Sequence, residues 1–217
     1  MARAPSAAGK TRLSPHLSAA RLAALRAALL ADTLDVIDAA ARACGVDAFL
    51  FFTPAGAEPE VAAVTNHPIP CVCQSDGDLG QRMRSALETL LGPRGYDAAM
   101  LVGADIPLLH ARYLLDACDT LHSSGGVVLG PADDGGYYLI GMTKLHGGLF
   151  ETIEWGTGSV LTDTLRAAER LGIEVRLIGS TYDVDTIEDL RRLDRDLAFM
   201  ASGIAPHVRR WFFEDGV

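Results

Sequence analysis

The strongest constraint on this chain is an alternation. Short apolar runs of strand length are followed by longer segments in which apolar residues recur at every third or fourth position. Runs of the first kind lie at 46–52, 69–73, around Met100, and at 127–130, 137–141 and 173–178. Segments of the second kind are predicted as helices at 18–43, about 59–65, 78–91, 108–122, 159–171 and 186–199. In the first helix the apolar stripe is Leu22, Leu25, Leu29, Leu34 and Ile37, and Gly45 supplies a stop. In 78–91, Leu79, Met83, Ala86, Leu87 and Leu90 are expected to face the core. Such alternation specifies an α/β fold: three layers, with helices on both faces of a mixed, mostly parallel sheet, because parallel neighbours need a crossover between them. Only 127–142 breaks the rule, with two strands in succession, which predicts an antiparallel strand. No repeat, low-complexity tract or shift in composition divides the 217 residues, so a single domain, 1–217, is expected.

Charge narrows the partners. With 28 acidic against 19 basic residues the formal net charge is -9, which argues against a nucleic acid or an anionic membrane surface. An anionic substrate must then be met by local Lys, Arg or metal. No apolar run approaches the roughly 20 residues a membrane span takes, and no apolar h-region opens the chain, so a cytoplasmic location is expected. Cys44, Cys71, Cys73 and Cys118 lack a paired zinc spacing and read as reduced, mostly buried small hydrophobes.

Six stretches carry candidate chemistry. Met100-Leu101-Val102-Gly103-Ala104-Asp105-Ile106-Pro107 ends a buried strand on a glycine, an aspartate and a proline that stops it. Ligands in open α/β sheets bind beyond the carboxyl ends of strands, which makes Asp105 a functional candidate. The competing explanation is an N-cap for the helix that follows. The chain itself opens on a basic small-residue loop with no ordinary strand ahead of it, so the first strand is expected to be largely missing. Ala4 to Thr11 has P-loop spacing with Ala in place of the first Gly, but Pro15 falls within the helix a P-loop requires. What remains is a loop whose Lys10 and Arg12 can neutralise phosphates, or a solvated basic terminus.

Gly77-Asp78-Leu79-Gly80, with Arg82, lies between a strand and a helix. Its glycines admit a flat ligand against the backbone and Arg82 reaches toward a phosphate or base edge, unless the stretch is an ordinary strand-to-helix turn. Asp133-Asp134-Gly135-Gly136 offers adjacent carboxylates, either of which suits a general base or metal ligand, or else a hairpin turn. Trp155, followed by Gly156 and Thr157, is a stacking surface if exposed and core if buried. In an extended segment Asp183 and Asp185 point the same way, so that Asp185 joins Asp105 around one Mg²⁺; alternatively Asp185 or Thr186 is an N-cap, with Glu188 or Asp189 closing the box. At the end, 208–213 with Trp211, Phe212 and Phe213 is apolar enough for a homodimer contact or for core.

Taken together in order, these motifs resemble the nucleotide-diphospho-sugar transferase superfamily, of glycosyltransferase-A fold. They are most similar to small bacterial glycosyltransferase-like proteins related to the guanylyltransferases of deazaflavin-cofactor and molybdenum-cofactor synthesis. The resemblance runs through Lys10-Thr11-Arg12-Leu13, Asp32-Thr33-Leu34, Gly77 to Gly80 with Arg82-Met83, Gly103 to Pro107, Asp134 to Tyr138, Trp155-Gly156-Thr157 and Asp183 to Thr186. It implies that Asp105 binds the metal on nucleotide phosphates, that Asp185 shares it with Asp183 nearby, and that Lys10 and Arg12 wrap the phosphates. Gly77, Asp78, Leu79, Gly80 and Arg82 are implied near the base, and Gly135, Gly136, Trp155 and Thr157 near the substrate. The first loop is one residue shorter than the family's usual one. The expected activity is Mg²⁺- or Mn²⁺-dependent transfer on a nucleotide substrate. Nucleotidyl transfer from a nucleoside triphosphate to a small phosphorylated acceptor is the first expectation, with Lys10 assisting. Glycosyl transfer from a nucleotide sugar, with Asp133 or Asp134 as base, is the alternative, and nucleotide binding without catalysis the third.

Overall fold

Fifteen residues separate Arg3, the end of the first strand, from a helix whose ends are written in its sequence. The structure, a computed structural model, describes residues 1–65 and 67–215. In chain order the elements are β1 (Ala2–Arg3), α1 (Ala19–Cys44), β2 (Leu50–Thr53), α2 (Glu58–Ala62), β3 (Cys71–Cys73), α3 (Leu79–Leu91), β4 (Ala99–Val102), α4 (Ala111–Ser124) and β5 (Val127–Pro131). They continue with β6 (Tyr137–Met142), a 3-10 turn at Gly147–Phe150, α5 (Val160–Leu171), β7 (Val175–Leu177), α6 (Ile187–Phe199) and α7 (Pro206–Asp215). Among the described residues, no helix is long and apolar enough to cross a membrane.

The α/β alternation expected from the pattern is present, and the ladders fall into two sheets. In the first, β1, β2 and β3 are all parallel, with Ala2 opposite Phe52 and Leu50 opposite Cys71. In the second the order is β4-β6-β5-β7. Here β6 runs antiparallel to both β4 and β5 while β5 is parallel to β7, so the break at 127–142 produces the antiparallel strand it predicts. Contacts group the chain into two compact units. One contains Met1–Cys73, Ala104–His110 and the segment from Asp183 onward; the other contains Gln74–Gly103 and Ala111–Tyr182.

Within the first unit, α1 starts at its cap Ser18, whose hydroxyl accepts from Arg21 N, and ends on Gly45 in the left-handed region (φ 67°). Leu30 and Leu34 of α1 close on Ala2, Ala4, Leu50, Phe52 and Val61, with Ala104 packed against the cluster. That packing seats the short segment bearing Asp105. Helix α7, which apolar patterning did not reveal, docks on α1 through Asp32. This buried carboxylate accepts from His207 N and Val208 N, both at 2.9 Å, so α1 supplies the N-terminal cap of α7. Burial pushes the Asp32 carboxyl up, against the pull of those two N–H groups. The Arg21 guanidinium lies 4.5 Å above the Trp211 ring. Val208 and Trp211 are thus core, while Phe213 stands 84% exposed.

Within the second unit, Leu129, Leu139, Ile140 and Met142 are fully buried on β5 and β6. Several expectations need correction. The run at 46–52 forms a strand only from Leu50, because Gly45 turns the chain and Val46 is left 42% exposed. Leu79 is the first residue of α3 and half exposed, since the helix's inward stripe begins a turn later at Met83. The four cysteines form no disulfide, but only Cys118 is buried. Cys44 and Cys71 are half-buried and Cys73 is exposed, since the faces of a short strand at the start of a turn are not both covered.

Candidate functional site

Asp105 lies six residues ahead of α4, too far to cap it, because that helix begins at Ala111 rather than near Leu108. Its surroundings come from elsewhere in the first unit. The Ala104 carbonyl meets Thr33 Oγ1 at 3.5 Å, and the Asp105 carbonyl accepts from Val184 N at 3.3 Å, which runs the 104–110 segment alongside 183–185. Thr186, not Asp185, is the N-cap of α6. Asp189 closes the box by collecting Asp185 N (3.1 Å), Thr186 N (2.8 Å) and Thr186 Oγ1 (2.7 Å) on one oxygen. The Asp185 carboxylate is therefore left for another partner.

That partner is Lys10. The loop carrying it leaves β1 with Ala4 N donating to Thr53 O (2.7 Å), is tied by Ala7 N to Ala4 O, and is held beyond Lys10 by the fully buried Leu13. Lys10 itself sits in the left-handed region (φ 50°), a conformation that costs a non-glycine residue and persists only where neighbours enforce it. Its ammonium donates to Asp185 Oδ1 at 2.9 Å, Asp105 Oδ2 at 3.1 Å and the Val184 carbonyl at 2.6 Å. Three N–H groups meet three acceptors, so the donor inventory of a lysine is complete. The Lys10 side chain is 9% exposed, against 44% and 46% for its two carboxylate partners.

Electrostatics agree with that geometry. Burial alone lowers a lysine's pKa, yet the charges of Asp105 and Asp185 and the hydrogen bonds to them outweigh it and hold Lys10 above its ordinary value. Burial likewise raises Asp105, and the Lys10 ammonium overrides it and holds the carboxyl below the usual range. Carboxylate oxygens of Asp105, Asp183 and Asp185 lie within 4.8 Å of one another. Asp105 and Asp185, 80 positions apart in sequence, thus converge as the extended 183–185 segment predicts. The donor set, all oxygen, suits a hard divalent cation, and the lysine ammonium is a cation already standing among those oxygens. Arg12 is exposed and takes no part in this contact.

The remaining candidates belong to the second unit, where local structure accounts for most of their polar groups. Asp78 is the N-cap of α3 in a reciprocal box with Gln81, and Gly77 (φ 116°) makes the turn ahead of it. Arg82 Nε donates to the Gly77 carbonyl at 2.9 Å, pinning the same turn. The flat group that Gly80 admits is the chain's own: a Cβ there would fall 2.3 Å from Trp155 Nε1. Trp155 is half-buried, stacked with Phe150 (6.3 Å, 24°) and edge-on to Tyr137 (6.4 Å, 87°). Thr157 Oγ1 donates to the Glu154 carbonyl and meets Ser159 Oγ, ordering the loop before α5.

Asp133 and Asp134 sit on an exposed hairpin turn joining β5 and β6, with Ala132 N bonded to Gly136 O and Gly135 N to Ala132 O. Asp134 Oδ1 accepts from Gly136 N at 2.8 Å, so this carboxylate serves its own turn. Gly135 (φ 87°) lies against the Gly158 backbone, where a Cβ would come within 2.1 Å of its carbonyl oxygen.

Two arginines at the first loop escaped the sequence motifs. Arg26 donates to the Ala7 carbonyl and Arg3 Nη1 to the Ala8 carbonyl at 2.9 Å. A signal existed: Arg26 stands in the stripe of Leu22, Leu25 and Leu29, where an apolar residue belongs.

Against known proteins, the family described as "Uncharacterized protein conserved in bacteria (DUF2064)" matches residues 33–157. A solved protein from Desulfovibrio desulfuricans G20, described as a "putative nucleotide-diphospho-sugar transferase", shares 27% identity and a TM-score of 0.82, over 96% of this chain and 91% of that one. The 4-diphosphocytidyl-2C-methyl-D-erythritol synthase of Anaerococcus prevotii DSM 20548 has a TM-score of 0.57 at 15% identity, over 78% of this chain and 89% of that one, a likeness of fold. Among curated proteins none matches the chain.

Proposed function

The chain belongs to the DUF2064 family, and on that premise we propose that it is a divalent-cation-dependent transferase acting on a nucleotide substrate. The reaction we assign is nucleotidyl transfer. An acceptor phosphate oxygen attacks the α-phosphorus of a nucleoside triphosphate, the bond to the β-phosphate oxygen breaks, and pyrophosphate leaves. The observation that carries this reading is the convergence of the Asp105, Asp183 and Asp185 carboxylates, two of which, Asp105 and Asp185, hold the Lys10 ammonium of the small-residue first loop. Mg²⁺ or Mn²⁺ held by Asp105 and Asp185, with Asp183 beside them, would supply charge neutralisation for the phosphates. Lys10, given up by its carboxylates, meets the developing negative charge. Arg12, exposed two residues on, adds cationic contact of the kind a triphosphate needs more than a diphosphate does.

Glycosyl transfer from a nucleotide sugar is the second reading, favoured by the name of the Desulfovibrio protein. It asks Asp133 or Asp134 to take a proton from the acceptor, whereas Asp134 is bonded to its own turn. The deciding experiment is a thermal-shift panel of nucleoside triphosphates and nucleotide sugars with Mg²⁺, followed by assays for pyrophosphate release and for sugar transfer. Stabilisation by triphosphates with pyrophosphate release supports the assignment. Stabilisation by nucleotide sugars alone, with sugar transfer, replaces it with the second reading. Tight nucleotide binding with turnover of neither makes the protein a binder without catalysis.

A further inference from the structure

Asp35 stands between two imidazoles brought from distant parts of the chain. Its Oδ2 lies 3.2 Å from His207 Nε2 and its Oδ1 3.0 Å from His67 Nε2. Asp32 and Asp35 are one turn apart on α1, which puts both carboxylates on one face of that helix. His207 is the second residue of α7, and the cap that Asp32 places on α7 sets the imidazole against α1. Ligand atoms of Asp32, Asp35 and His207 consequently all lie within 4.8 Å of one another. These three residues and His67 belong to the first compact unit.

Docking of α7 alone does not call for such a set. Asp32 already meets the two N–H groups of α7, one on each oxygen, and each oxygen keeps a further lone pair. Asp35 adds nothing to that cap; its ion-pair partners are the two imidazoles, which carry charge only when protonated. Asp32 is buried, and a buried carboxylate is met either by an ion pair or by a metal. Spacing agrees with the second. Two ligands about 2.0–2.1 Å from one tetrahedral ion are about 3.3–3.4 Å apart, close to the His207–Asp35 separation of 3.2 Å. Asp35 and His207 are 43% and 33% exposed, so an ion has a path from solvent to Asp32.

We propose that Asp32, Asp35 and His207 form a second metal site, for Zn²⁺ or a similar divalent transition ion, with water completing the coordination. Mixed imidazole and carboxylate donors select such an ion, whereas the cluster at Asp105 is all oxygen. His67 acts from outside: its Nε2 holds the far oxygen of Asp35 while its Nδ1 lies 3.4 Å from Asp38, the arrangement that orients a ligating carboxylate. The bound ion staples α7 to α1, adding to a cap that holds without it.

The test titrates Zn²⁺ into the full chain, previously stripped of metal, by calorimetry, with thermal unfolding measured alongside. Native protein should bind a single Zn²⁺ here and melt at a higher temperature with it. Affinity should fall by about 100-fold or more in His207→Gln and in Asp35→Asn, and by about tenfold in His67→Gln. His207→Gln keeps the backbone N–H that Asp32 caps, so it leaves the docking of α7 in place. Binding at this site should persist in Asp105→Asn/Asp185→Asn and in Cys71→Ser/Cys73→Ser. Zn²⁺ affinity and melting shift unchanged in His207→Gln, or lost with the Asp105 pair or the cysteines instead, overturn the site. The site uses neither Lys10 nor the Asp105 cluster, so its failure leaves the nucleotide-transfer reading untouched.

Discussion

Two groups of aspartates in this molecule look alike in the sequence and are used differently by the fold. Asp105 and Asp185 reach out of their own segments to a lysine 95 and 175 positions away. Asp134 bonds the backbone two residues on, and Asp78 caps the helix it precedes. A carboxylate satisfied by its neighbours in sequence is one that the local turn needs. One satisfied only across the fold has been brought there at the cost of desolvation, and such placement is where function concentrates.

The largest effect expected of a single change is on the long-range group. Asp105→Ala should weaken Mg²⁺-dependent nucleotide binding by about 100-fold or more, beyond the range known for residues that only support a metal ligand. Calorimetry showing native affinity would erase the distinction between the two groups. Next comes packing in the second unit. Trp155→Ala should cost about 3 kcal/mol, and Gly80→Ala, whose new Cβ meets the indole, about 1–3 kcal/mol, read as shifts in urea midpoint. A Trp155→Ala variant of native stability and impaired substrate binding would turn the indole from a packing group into a ligand contact.

The pH dependence sharpens the comparison further. Asp105 is held low, so its stabilising contribution is present above the unfolded carboxyl value of about 4 and is lost as pH falls through its depressed folded value. Lys10 is held high, so its contribution is present below about 10.4 and is lost as pH rises through its raised value. Stability of Lys10→Gln against pH should accordingly be flatter than that of the native chain on both limbs. Identical profiles would mean that the ion pair adds nothing. The smallest effect belongs to the turn. Asp134→Asn should change stability by less than about 1 kcal/mol and nucleotidyl transfer by less than threefold, whereas the roughly 100-fold or greater loss typical of a removed general base would favour glycosyl transfer.

Much of this was legible from residues alone, for identifiable reasons. Periodicity exposed α1 and α3 because each has a buried stripe and a capping residue within one turn of its start. Two strands in succession exposed the antiparallel β6. The convergence of Asp105 with Asp185 could be anticipated because Asp105 follows a buried apolar strand and an extended Asp183-Val184-Asp185 segment turns its two carboxylates the same way. Hidden from pattern were partnerships with no fixed spacing: Lys10 with its carboxylates, Gly80 with Trp155, and Arg3 and Arg26 with the first loop. Helix α7 was hidden too, since Pro206 to Asp215 carries no strong stripe and is specified by a carboxylate on α1 that caps it from 175 positions away.

The ammonium of Lys10 also decides an order of events. Three carboxylates drawn together in a folding chain repel one another, and many such clusters wait for a metal before they can close. Here the neutralising cation is part of the polypeptide, so the acidic cluster assembles as the chain folds and no diffusible ion has to arrive first. A chelator should leave the fold standing. Whatever cation binds afterwards enters a finished room and takes a seat already warm.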